Sequence, residues 1–145
     1  MKLRLPSVIV SCAVLLVAIT SAALAYAGSY LDRSAILLAD TRRANEWILV
    51  HLSDREMSEI LHDVAEARLK SARKMSVPVN PKEVAMAHPH LLLALEISER
   101  AAAAAAIGQN EKFLTLLRTA RDEDATFRSL LASAKLDLPS FPEKK

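Results

Sequence analysis

Met86, His88 and His90 are the residues best suited to chemistry in this chain. A thioether and two imidazoles suit copper, and imidazole also suits zinc or nickel. In Met86-Ala87-His88-Pro89-His90 the proline is expected to hold the histidines on a bend, not on one helical face. Two or three ligands are too few for a closed site. Help would have to come from His51, His62, Glu83 or another chain. The plainer alternative is a helix junction in which His88 caps the Leu91–Leu95 helix.

Glu59-Ile60-Leu61-His62 is a Glu-x-x-His, half of a di-iron bundle motif. That chemistry needs a second such motif and two more inward glutamates. The sequence contains no second copy, so a solvated helix face is expected. No serine sits on a Gly-rich elbow, and no acid–His–Ser arrangement can be placed. Only Gly28 and Gly108 are glycines, which excludes Gly-rich phosphate loops. The expectation is a protein that is not an enzyme.

Two charged residues interrupt apolar seams. Phe113, Leu117, Ala120, Asp124, Phe127, Leu131, Ala134 and Leu138 alternate by four and three, as in helix bundles. Met57, Leu61, Val64, Arg68, Ser71 and Met75 do the same. If these helices face each other antiparallel, Arg68 and Asp124 pair inside the bundle, fixing its register. Trp47 lies one residue off an Ala44–Ile48 stripe. It is the best single anchor for a protein partner, or else a core-edge tryptophan.

The elements that hold these residues are all helical. Alanine and leucine dominate and no strand pattern is visible. Four main helices are expected, with one short one. The first spans Tyr30 to His51, with Leu37, Ala44, Ile48 and Leu52 on its inner stripe. Ser53-Asp54-Arg55-Glu56 reads as a capping box that starts the second, flanked by a Leu52–Met57 staple. Val77-Pro78-Val79-Asn80-Pro81 ends it, and Asn80 caps the short helix Pro81–Ala87. His88-Pro89 should then interrupt the chain before a helix to Ile107. Its Leu91-Leu92-Leu93 and Leu95 wrap all round, which predicts burial on most sides. Gly108 stops that helix, Asn110 caps the last, and Pro139 and Pro142 keep the tail extended.

Lys2 and Arg4 precede an uncharged stretch from Leu5 to Leu31, and small residues follow at Ala23, Ala25 and Ala27. A basic start, an apolar middle and an A-x-A exit make a secretory signal peptide over residues 1–27. Gly28-Ser29 is expected to break the helix there. The rival is an uncleaved inner-membrane anchor through residues 5–27, since a bilayer core needs about 20 apolar residues. Either places the domain outside the cytoplasm, most naturally in a bacterial periplasm. Cys12, the only cysteine, is too early in the apolar run for lipoprotein processing. Beyond it the domain has no disulfide and no thiolate site.

A bundle domain of residues 28–138 and a tail of 139–145 remain. With Lys2 and Arg4 removed, 17 basic residues balance 17 acidic ones. No basic face is visible, so no nucleic-acid partner is expected. The fold class is therefore all-α, a four-helix up-and-down bundle or two packed hairpins after the N-terminal segment.

The Leu52-Ser53-Asp54-Arg55-Glu56 helix start, on a small exported helical chain, resembles the periplasmic Spy/CpxP-type chaperones and related metal-resistance sensors. Those carry Leu-Thr-x-x-Gln at helix starts, usually twice. Here Ser53 stands for Thr, Glu56 for Gln, and one copy is present. The resemblance covers five residues and implies a client-binding cradle or a metal sensor. The expectation overall is a non-catalytic envelope interaction or scaffolding protein. Its partner is another envelope protein or a second copy of the chain. The alternatives are a metal sensor or carrier and an anchored subunit of a membrane complex.

Overall fold

The computed structural model describes the backbone of residues 7–140, and side chains from Gly28 onward. It contains four packed helices and, among the described residues, no strand. They are α1 (Ser7–Val50), α2 (Arg55–Arg73), α3 (Lys82–Ala106) and α4 (Asn110–Ser133). Residues 1–6, and the side chains of the signal-or-anchor segment as far as Ala27, lie outside the described residues. Its backbone from Ser7 is continuous with α1 and passes through Gly28-Ser29 without the expected break. Among the described residues no helix is long and apolar enough to cross a membrane.

Short connections make neighbours antiparallel. α3 packs against α2 on one side and α4 on the other, while α1 lies against all three. The backbones of α2 and α4 do not approach each other.

The α4 seam is buried where its spacing predicts: Phe113, Leu117, Ala120, Phe127 and Leu131 all face inward. The α2 seam is rotated by one residue. Ser58, Ala65, Leu69 and Ala72 are buried, while Met57 and Val64 are exposed. Small residues on that face let α2 approach α3 closely, which outweighs burying a bulkier methionine and valine. The start of α2 is also displaced. Asp54, not Ser53, is the cap, and its carboxylate accepts from the Met57 amide at 3.0 Å.

The single helix α3 replaces the expected short helix, break and long helix. Pro89 sits inside it and cannot donate to the carbonyl of Ala85. Ala85 and Pro89 are both exposed, so water can take the freed carbonyl. Leu93 is also exposed, so α3 is covered on fewer sides than its leucines suggest. The caps are shifted by one as well: Pro81 and Gln109 hold the positions expected of Asn80 and Asn110.

Both α3 and α4 end in six-to-one hydrogen bonds. The Gln109 amide donates to Ala104 and that of Gly108 to Ala105, with Gly108 at φ 77°. At the end of α4 the same pattern puts Lys135 at φ 58°.

The interior has two apolar clusters. One joins Tyr30, Leu38, Leu69, Leu91, Phe127 and Leu131 with their neighbours. The other gathers Ile48, the α3 alanines Ala101, Ala102, Ala104 and Ala105, Phe113 and Leu117. The alanines present a thin surface, and the two aromatic and aliphatic side chains of α4 fill the space they leave.

Candidate functional site

The two apolar clusters are parted by a polar waist. The inner stripe of α1 runs through Leu38, Thr41, Asn45 and Ile48, so two successive inward positions are polar. On α3, Ser98 lies between Leu95 of one cluster and Ala101 of the other. On α4, Asp124 lies between Ala120 and Phe127. Four helix positions that spacing directs inward are therefore occupied by groups that hydrogen bond.

These groups are not equally satisfied. The Asn45 amide donates to the Ser98 hydroxyl at 3.2 Å, deep in the interior. The Asp124 carboxylate accepts from Arg128, one turn ahead on its own helix, at 2.9 Å. It also accepts from Arg42 of α1 at 3.4 Å. Thr41 is only 7% exposed, and its hydroxyl has no hydrogen-bond partner. Leaving such a group buried and unpaired costs free energy.

The waist opens to solvent as a cleft of about 390 Å³ between α1, α3 and α4. Leu38, Ala94, Leu117 and Ala120 supply apolar walls. Thr41, Asn45 and Ser98 lie at its polar base, and Arg42, Arg121, Arg128, Glu46 and Asp124 line it as well. The volume falls in the range of small-molecule sites, roughly 300–1,000 Å³.

Asp124 thus takes Arg42 and Arg128 as partners and not Arg68. The reason is topological: α3 stands between α2, which carries Arg68, and α4, which carries Asp124. Among the described residues Arg68 forms no ion pair, and its buried Nη1 has no hydrogen-bond partner.

The continuous helix turns His88 away from Met86 and His90, which are four residues apart and share a face. On a continuous helix two residues apart means about 200° of rotation, so the histidines turn to different neighbours. The Tyr30 hydroxyl meets His88 Nδ1 at 3.0 Å across α1 and α3. His90 Nδ1 meets the Glu123 carboxylate of α4 at 2.7 Å. Met86 is exposed. Burial lowers the His88 pKa below its ordinary value. Burial also pushes the Tyr30 phenol up to about 12, against a smaller opposing effect of the Ser34 hydroxyl. His62, from the Glu-x-x-His, meets the Glu99 carboxylate of α3 at 2.6 Å, and Glu59 faces solvent. Among the described residues no group of three or more His, Cys, Asp or Glu side chains is placed to hold a metal ion.

Trp47 is partly covered. It packs against the second cluster and stacks on His51, with ring centroids 4.2 Å apart. The larger unpartnered apolar surface lies close by in sequence. Met57, Ile60 and Val64 recur at helical spacing on α2, and Ile60 is 50% exposed. Leu49 and Val50 are exposed at the end of α1, just before the turn into α2. The outward stripe was legible as part of the Met57–Val64 seam, but its direction was not. The waist went unread because Thr41, Asn45 and Ser98 look like gaps in an apolar pattern. Their succession along inward positions was the available signal.

Comparison with family models, with curated proteins and with solved structures finds no match to this chain.

Proposed function

We propose that this chain is an exported, non-catalytic helical interaction protein of the bacterial envelope. The observation that carries the reading is the exposed apolar strip of Met57, Ile60 and Val64 on α2, with Leu49 and Val50 beside the turn. Apolar side chains at helical spacing with nothing packed over them suit an amphipathic helix of a partner protein. Strand addition would need a free sheet edge, and the described residues form no strand. Trp47, half-covered next to the same turn, would sit at the rim of such a contact.

Export rests on the basic, apolar and A-x-A succession of the first 27 residues. The test is the size of the native particle in gently solubilised envelopes. The wild type is expected in a particle larger than the chain alone, and Val64→Glu, with unchanged melting, is expected to release it as a monomer. A wild type that runs as a monomer contradicts the reading.

A further inference from the structure

The cleft at the waist is a second surface, independent of the α2 strip. We propose that it is a binding site for a small carboxylate joined to a compact apolar body. Three features of the cleft support this, and each concerns a different part of the ligand.

The first is charge. Arg42 and Arg128 are held by Asp124. Arg121 lines the same cleft and forms no ion pair among the described residues. Three guanidiniums against two carboxylates leave the lining one charge positive. A free guanidinium offers paired donors that match a carboxylate. Asp124 does not repel an incoming anion strongly, because two guanidiniums already neutralise it. Glu46 is the one competitor, on α1 within the same cleft.

The second is the buried base. Thr41 is more than nine-tenths buried, lines the cleft, and has a hydroxyl without a partner. The hydroxyl oxygen itself is closed to solvent. A ligand oxygen therefore pairs with it only once the side chain turns about χ1 toward the cleft, which would satisfy a group that the empty fold leaves unpaired. The third is the wall. Leu38, Ala94, Leu117 and Ala120 would cover an apolar body but offer nothing to a second charge.

The experiment is a calorimetric titration of the full chain and of the form starting at Gly28. The probes are octanoate, N-acetylleucine, and octylamine as a cation of matched apolar body. Octanoate or N-acetylleucine is expected to bind with one-to-one saturation, and octylamine is not. The two anions distinguish a fatty carboxylate from a peptide-like one. Arg121 is exposed, so Arg121→Gln should fold as the wild type does, and it is expected to weaken binding at least tenfold. Thr41→Val is expected to weaken it several-fold, and Glu46→Gln to leave it equal or tighter. Failure of both anions to bind overturns the proposal. So does equal binding of octylamine, or affinity unchanged in Arg121→Gln, either of which would mean unspecific apolar contact. Because the α2 strip is untouched by these changes, neither result bears on the interaction reading.

Discussion

Thr41→Val should make the protein more stable, although it replaces a hydroxyl in the interior with a methyl group of the same shape. The side chain is 7% exposed and its oxygen has no hydrogen-bond partner. An unpaired buried hydroxyl costs about 1–3 kcal/mol by protein mutational data. Valine removes that cost and keeps the β-branched shape, so the expected gain is about 1–2 kcal/mol. For a domain of this size that raises the melting temperature by roughly 3–8 °C. Thr41→Ser provides the opposite case. It keeps the unpaired oxygen and deletes a buried methyl, costing about 1 kcal/mol. Urea unfolding followed by circular dichroism measures both, provided the slope stays constant across variants. Valine less stable than threonine would refute the reasoning, since the hydroxyl must then hold a partner that the fold loses.

Three further outcomes follow from backbone and burial. Lys135 is held at φ 58° where glycine is unstrained, so Lys135→Gly should gain about 0.5–1 kcal/mol in the same urea assay. Gly108→Ala should lose about 1–2 kcal/mol, because φ is 77° and the new Cβ meets the Arg55 guanidinium, which must swing away. His88 has a pKa lowered by burial from 6.5, so the unfolded chain takes its proton first as pH falls. The stability that neutral His88 contributes is present above pH 6.5 and is lost as pH drops from there toward the folded pKa. His88→Gln should flatten that part of a melting-temperature profile against pH.

The all-helical fold was readable because alanine, leucine and four-three spacing agree along most of the chain. The α4 seam shows this best: its aromatic and leucine positions are both bulky and regularly spaced, so size and period point the same way. On α2 they diverge. Met57 and Val64 are larger, but Ser58, Ala65 and Ala72 give the closer helix approach, and closeness sets the rotation. Pro89 misled for a related reason. Its cost depends on whether the freed Ala85 carbonyl reaches water, which is a property of the packed bundle and not of the dipeptide.

The candidate sites were legible only in part. Asp124 was recognised as an intruder in its seam, yet its partners come from α1 and from its own next turn. Choosing among Arg42, Arg68 and Arg128 requires knowing which helix separates which, and α3 settles that by standing between α2 and α4. The His88–Pro89–His90 bend dissolves once the helix runs through it, and each imidazole turns to a separate neighbour.

The most direct test of the interaction reading is site-specific photocrosslinking in the native envelope. A photoreactive residue at Ile60 is expected to give one discrete adduct with a second protein. The same residue at Glu66, exposed on α2 away from the strip, is expected to give none. Absence of any adduct at Ile60, or equal adducts at both positions, would contradict the account.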